Sequence, residues 1–348
     1  MTHEPAPDTT VGLIFGGQSA EHEVSLQSAK NVLAAIDRDR FTVFPIGIDS
    51  NGRWWTFTNE DCFINADDPA TIALNPETRA PFPLSRLEPG ARGERPFDVA
   101  FPLLHGPYGE DGTIQGLFRL LGIPCVGGSV LGSAVGMDKD VMKRLLRDAG
   151  IPIGKFLTVT DPREVDIETV TADLGLPCFV KPANLGSSVG VSKVADAEEL
   201  SDAVELAFTH DQKVLIEEAI DGRELECGVL GNHEPRASAI GEVIPAHDFY
   251  SYEAKYLDEQ GAGLVIPAEL DAADIARVQE LAIDTFRALE GRGLARVDGF
   301  LRENGELLVN EINTMPGFTK ISMYPRLFAE VGVSYPELIT ELIELAKK

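Results

Sequence analysis

Apolar residues recur along the chain with two different periods, and the changes between them mark out the elements. In "TVGLIFGG", residues 11–15 form a short continuous apolar run stopped by Gly16 and Gly17, which predicts a buried strand. "SAEHEVSLQSAKNVLAAI" then spaces Val24, Leu26, Val32, Leu33 and Ile36 as one face of a helix. "FTVFPIGID" returns to strand, so the chain opens β-α-β. A glycine turn between strand and helix is where ligands usually sit in an open α/β sheet. Residues 50–95 carry more Pro, Asn, Asp and Arg and no sustained period, predicting an irregular insertion with one short hairpin around Trp54 and Trp55. "FDVAFPLLHG" reads as a strand ending at His105, "GTIQGLFRLLGI" as a helix and "PCVGG" as a strand. Together these form a doubly wound parallel sheet.

Near Gly136 the character changes. "SAVGMDKDVMKRLLRDAGI" has one helical stripe, and its sequel "PIGKFLTV" starts a second unit. That unit continues with the hairpin "PCFVKPANLGSSVGVSKV", the helix "DAEELSDAVELAFTH" and the strand "KVLIEEAI". "ELECGVLGN" and "RASAIGEVIP" begin a mostly antiparallel sheet. Residues 247–264 are polar and aromatic without a period, and so long a loop in a compact domain is usually a lid or binding loop. A helix over 271–289, the hairpin "LARVDGFLRENGELLVNEIN" and an amphipathic helix over 335–346 complete the chain.

Composition narrows the setting. The 348 residues suffice for two or three domains, and 44% hydrophobic with 25% charged is ordinary for a soluble globular protein. No apolar run is long enough to span a membrane, and "MTHEPAPDTT" lacks the basic start and apolar core of a signal peptide. Cys62, Cys125, Cys178 and Cys227 are widely separated with no C-x-x-C pair, which argues against a zinc site or disulfide framework and for a reducing cytoplasm. The net charge of −26, from 56 acidic against 30 basic residues, argues against nucleic acid as a partner. Any polyphosphate ligand would need local lysines, helix N-termini and metal ions to overcome that field.

Two stretches carry candidate chemistry. In "FVKPANLGSSVGVSKV", Lys181 precedes a tip of Gly186, Ser187, Ser188 and Gly190. Closely spaced N–H groups beside a lysine suit an anion, most often phosphate; the same residues also suit an ordinary tight hairpin. In the last hairpin, Arg296 and Asp298 lie two apart on one strand, and Glu311 and Asn313 two apart on the next. The strand period of two puts each pair on one face. Two carboxylates and an amide oxygen make a hard donor set suited to Mg²⁺; a polar solvent-facing sheet side is the other reading. Gly317, in "TMPGF", can lend a backbone N–H to a developing oxyanion.

Eight segments in order resemble the ATP-grasp superfamily and, more closely, the D-alanine–D-alanine ligase family: "GGQSAEHEVSL", "HGPYGEDGTIQG", "MDK", "FVKPANLGSSVGVS", "VLIEEAIDGRE", "EAKY", "ARVDGF" and "NEINTMPGFT". The resemblance spans residues 11–348. It implies a three-domain α/β ATP-grasp fold: an N-terminal doubly wound parallel sheet over 1–136 holding the first D-alanine, then two α+β subdomains, 137–230 with the phosphate loop and 231–348 with the lid and metal site, that sandwich ATP.

The resemblance also implies roles. Lys139 and Lys181 contact ATP phosphates, Ser188 belongs to the phosphate loop, and Lys255 reaches the γ-phosphate. Glu217 and Glu218 pass the adenine, with Glu217 accepting from its amino group, and Glu224 binds the ribose hydroxyls. Asp298, Glu311 and Asn313 hold two Mg²⁺ (or Mn²⁺). Glu21 binds the ammonium of the first D-alanine, and His105 assists near that substrate's carboxylate. Ser322 and the Met323 N–H take the carboxylate of the second D-alanine, while Arg296 and Gly317 stabilise the tetrahedral oxyanion. Ser187, Tyr256 and Glu21 form one hydrogen-bonded network. The implied partners are ATP, D-alanine and a second copy of the chain in a homodimer. Competing readings are a ligase of the same fold making D-alanyl-D-lactate or D-alanyl-D-serine, another ATP-grasp enzyme, and a nucleotide-binding protein without turnover. The tyrosine of "EAKY", generally missing from lactate-making members, disfavours the lactate product.

Overall fold

The computed structural model describes residues 9–58, 60–88, 95–245 and 262–348. The chain opens with β1 (Thr9–Gly16), α1 (His22–Ala35) and β2 (Phe41–Ile48). The insertion is more regular than its sequence suggests: it holds β3 (Trp54–Phe57), β4 (Phe63–Ile64), β5 (Ala73–Leu74) and β6 (Arg79–Pro81), followed by β7 (Val99–Leu103). β1 pairs in parallel with both β2 and β7, but β3 runs antiparallel to β2 and β6 antiparallel to β3. The first sheet, ordered β6-β3-β2-β1-β7, is therefore a parallel core extended by antiparallel strands from the insertion. Trp55 anchors that extension, donating to Asp49 at 3.0 Å with the Arg79 guanidinium 4.3 Å above its ring. The expected "PCVGG" strand shrinks to a single bridge between Ala100 and Cys125.

α2 (Thr113–Leu121), α3 (Val130–Met137) and α4 (Lys139–Asp148) lead to the second unit. The single helix expected over "SAVGMDKDVMKRLLRDAGI" is two, because Asp138 leaves helical dihedrals (φ −82°, ψ 100°) and caps the second by accepting from Val141 N. β8 (Phe156–Val159), α5 (Ile167–Leu174), β9 (Cys178–Pro182), β10 (Ser192–Val194), α6 (Leu200–Phe208) and β11 (Val214–Glu218) follow. Their strands form an antiparallel sheet, β10-β9-β11-β8. α5 has one buried residue, Val170, so no apolar stripe announces it; Asp166 starts it by accepting from Glu168 N and Thr169 N.

The third sheet contains β12 (Arg223–Leu230), β13 (Arg236–Pro245), β14 (Ala262–Val265), β15 (Leu294–Leu301) and β16 (Leu307–Asn313), in the order β14-β13-β12-β15-β16. α7 (Ala272–Ala288), α8 (Met323–Glu330) and α9 (Tyr335–Ala346) complete the chain. The expected lid over 247–264 is shorter, since 262–264 belong to β14; 247–261 lie outside the described residues. α9 packs on both the preceding helix and the first domain: Leu338, Ile339, Leu342 and Ile343 share one core with Tyr324 and Phe328 of α8, with Leu13, Phe15 and Phe101 of the first sheet, and with Leu26 of α1. The two ends of the chain thereby close one apolar core.

Candidate active site

Between the second and third sheets lies a cavity of about 460 Å³, lined from one side by Lys139, Lys143, Lys181 and Glu217 and from the other by Glu224, Asp298 and Glu311. The tip of the β9–β10 hairpin, residues 186–188, forms part of its wall. In that tip the left-handed backbone falls on Ser187 (φ 51°) and Ser188 (φ 60°) as well as Gly190 (φ 70°). For residues with a Cβ this costs about 1–2 kcal/mol each, a strain that clusters at ligand-binding loops.

The third-sheet side is set by register. Asp298 on β15 stands directly opposite Glu226 on β12 and Glu311 on β16, while Arg296 stands opposite Asn313. Three carboxylates thus cross three strands in one row. Arg296 donates from Nε and a terminal nitrogen to the two Asp298 oxygens at 2.7 Å each, and its Nε lies 3.0 Å from Glu226. Burial alone would ease the guanidinium toward neutrality, but Asp298 and then Glu226 hold its pKa far above the ordinary value. Lys139 Nζ is 3.4 Å from Glu311 and donates to Leu185 O at 2.8 Å, tying this row to the phosphate loop. Asn313 Oδ1 accepts from Met315 N at 3.0 Å, which fixes the amide. Paired hard carboxylates with an adjacent fixed amide suit Mg²⁺. Among the described residues, no group of three or more His, Cys, Asp or Glu side chains is arranged to hold a metal, so the candidate set is two carboxylates and the amide.

On the opposite wall Glu217 is buried and each of its oxygens meets a lysine: Lys181 at 2.6 Å and Lys143 at 3.2 Å. Burial would push its pKa up; Lys143 and Lys181 outweigh that and hold it below the ordinary carboxylate value. Glu218 lines the cavity, but its oxygens accept from Lys155 N at 2.7 Å and from Arg302 at 3.1 Å, tying β11 to the β8 entry and the β15–β16 turn. Glu224 and Ser188 line the same space.

From the first domain, Glu21 accepts from Ser187 Oγ at 2.5 Å, bringing together residues 166 positions apart. Tyr256, the expected third member, and Lys255 lie outside the described residues. Gly106 (φ 73°) sits close enough that a Cβ there would meet Glu21 Oε2 at 2.9 Å. Gly317 lies beside Ser322, whose Oγ accepts from Thr319 N at 3.1 Å and contacts Thr319 Oγ1 at 2.8 Å. Ser322 is the N-cap residue of α8, and its side chain makes no capping bond, its hydroxyl engaging Thr319 instead.

His105 is where the geometry departs from expectation. It is 2% exposed and both ring nitrogens are committed, Nδ1 to Met315 O at 2.9 Å and Nε2 to Ser28 Oγ at 3.2 Å. Burial lowers its pKa, and with Nδ1 donating to a carbonyl, Nε2 accepts from the serine. Ser28 in turn accepts from Phe318 N at 3.4 Å. His105 thereby braces the turn after β16 against α1, with both ring nitrogens engaged by protein partners.

Three site residues are absent from the sequence reading. Lys143 follows Lys139 by one helical turn, and Glu226 follows Glu224 by the strand period, so the same spacing rules reach both. Glu110, in "HGPYGEDG", is buried, accepts from Gly106 N at 2.9 Å and lies 3.9 Å from His105. Burial, reinforced by the nearby Glu21 carboxylate, pushes its carboxyl up to about 8. Because that exceeds the ordinary 4.5, folding favours the protonated form; its contribution is full at acid pH and is lost as pH rises from about 4.5 toward 8. Glu110→Gln is expected to flatten the fall in melting temperature across that window, as read by thermal melts. Parallel wild-type and variant profiles would refute the assignment.

Comparison with known proteins matches this geometry to one family. The model described as "D-ala D-ala ligase N-terminus" matches residues 10–128, and that described as "D-ala D-ala ligase C-terminus" matches 145–344. The D-alanine–D-alanine ligase of Shouchella clausii is 54% identical over 345 residues, 97% of this chain and 94% of that relative. Among solved structures, the D-Ala:D-Ser ligase VanG from Enterococcus faecalis superposes with a TM-score of 0.86 at 38% identity, covering 97% of this chain and 99% of that one. The D-alanine–D-alanine ligase from Coxiella burnetii gives 0.83 at 37% identity, covering 98% and 94%. With both halves matched and identity above one half over nearly its full length, this chain belongs to the D-alanine–D-alanine ligase family.

Proposed function

We propose that this protein uses ATP to join two D-alanine molecules into D-alanyl-D-alanine, a peptidoglycan precursor, through an acyl phosphate. One observation carries the site assignment: a single cavity sets Lys139 and Lys181 against Asp298 and Glu311, and the Glu21–Ser187 bond brings the first domain to its phosphate loop. Glu217 takes the adenine amino group, Glu218 borders the base, and Glu224 takes the ribose hydroxyls. Lys139, Lys181, Ser188 and Lys255 hold the phosphates. Asp298, Glu311 and Asn313 would hold two Mg²⁺ (or Mn²⁺), which neutralise phosphate charge when bound.

Glu21 orients the first D-alanine through its ammonium, so that its carboxylate faces the γ-phosphorus. Attack there forms the C–O–P bond and breaks the bond to ADP. The amine of the second D-alanine, whose carboxylate meets Ser322 and the first turn of α8, loses a proton and attacks the acyl carbon. Arg296 and the Gly317 N–H receive the charge that develops on oxygen, and inorganic phosphate leaves. Tyr256 is assigned the selection of an amine over a hydroxyl as second nucleophile.

The deciding experiment is phosphate release from ATP with and without D-alanine, with products identified. Release that depends on D-alanine and yields the dipeptide is expected; release indifferent to D-alanine would refute the reading. The likeness to a D-Ala:D-Ser ligase favours one second reading, so D-serine and D-lactate belong in competition with D-alanine in the same assay. Family membership extends the proposal to a cytoplasmic homodimer formed through the first domain, which sedimentation measures directly. Among the described residues no helix is long and apolar enough to cross a membrane.

A further inference from the structure

Lys143 is a lysine with 2% exposure, on the same face of α4 as Lys139 and one turn further in. Its ammonium lies 3.2 Å from Glu217 and 5.8 Å from the centre of the Phe156 ring. A buried lysine is costly unless it has a carboxylate, and a buried carboxylate is costly unless it has a cation. Glu217 nevertheless has two cations, and the second, Lys181, is held more tightly at 2.6 Å. Lys181 is also the residue expected to reach the ATP phosphates. While it remains on Glu217 its charge is spent there; once it turns to phosphate, Glu217 keeps whatever partner remains.

We propose that Lys143 is the standing counter-ion of Glu217, and that its presence lets Lys181 exchange that carboxylate for a phosphate when nucleotide binds. The inference rests on the reading above, in which Glu217 faces the adenine and Lys181 the phosphates. Lys143 acts here as a positioning residue and touches no reacting atom. Two cations on one buried carboxylate make the departure of one tolerable; a single cation would be locked in place. Without Lys143, binding of a phosphate-bearing nucleotide either forfeits the Lys181 contact or requires Glu217 to take up a proton.

The test compares adenosine, which carries no phosphate, with ADP, which does, using calorimetry on the full-length protein with Mg²⁺ and in buffers of different ionisation enthalpy. In Lys143→Met, ADP should weaken by about tenfold or more relative to adenosine, whatever common loss the two share. ADP binding should also acquire proton uptake that the wild type lacks. Lys143→Arg keeps the charge and should retain the wild-type ratio of the two affinities. In the double variant Lys143→Met/Glu217→Gln no carboxylate holds Lys181, so the ratio should return even where both affinities have fallen. That arm also serves if Lys143→Met alone does not fold. Equal losses for adenosine and ADP in Lys143→Met, or a double variant that does not recover the ratio, would overturn the inference. Lys181→Met separates the two levels: a wild-type ratio there overturns the phosphate assignment itself, whereas a lost ratio there with a wild-type ratio in Lys143→Met overturns the role of Lys143 alone.

Discussion

Glu311→Gln is expected to lower D-alanine-dependent phosphate release by about a hundredfold or more, the scale of losing a preorganised charge at a phosphoryl-transfer site, with a melting temperature near wild type. The amide keeps the side chain's size, and Glu311 is half-buried at the open end of its row, so the fold has little to lose. What changes is charge. Glu311 stands directly opposite Asp298, and the pair supplies the two carboxylates of the candidate Mg²⁺ set. The variant should need more Mg²⁺ to reach its residual rate, and the Mg²⁺ dependence of nucleotide binding should shift to higher concentration by calorimetry. Wild-type turnover at limiting Mg²⁺ would sink the metal assignment.

Arg296→Met should be costly for folding and for turnover together. Arg296 is buried and contacts both Asp298 and Glu226, with Glu311 next in the row. Removing the cation from a buried pair costs about 3–5 kcal/mol, because the carboxylates remain behind. If Arg296 is the oxyanion donor proposed above, its loss costs a further hundredfold to roughly a thousandfold in turnover. The sign of the pH dependence is specific. With the guanidinium gone, crowding and burial raise the carboxylate pKa values, so the stability deficit against wild type should shrink as pH falls. Urea melts at several pH values measure it; a deficit that widens toward acid would refute this account. Arg296→Lys should recover part of the stability and little of the activity, since one ammonium cannot reproduce a two-pronged contact.

The β9–β10 tip and the carboxylate row were the most legible parts of the candidate site. Both depend on local rules: the strand period places Asp298 with Arg296 and Glu311 with Asn313, and a hairpin turn sets the register between them. Glu226 and Lys143 obey the same periods yet stand out only in three dimensions, because what singles each out is a partner on another element. His105 shows the reverse. A histidine at a strand end beside a glycine loop looks chemical until the fold brings Met315 and Ser28 against its two nitrogens, 210 and 77 residues away.

Local sequence also determined most elements: apolar runs and stripes mark buried strands and amphipathic helices whatever surrounds them. Where tertiary contacts or a single cap outweighed periodicity, the pattern misled. Asp138 split a continuous helical stripe into α3 and α4, and pairing with β2, the last strand of the parallel core, ordered Trp54–Phe57 and then Arg79–Pro81 within an insertion that has no period of its own. Tertiary structure alone decided that α9 joins the first sheet to the third in one core, and that Glu21 meets Ser187 across 166 residues. Burial of an apolar face specifies that a partner is needed but not which one, and an ionisable side chain carries no mark of the charge it will meet. The sequence by itself set the periods, the turns and the kinds of donor atom; which of them face one another was settled by packing.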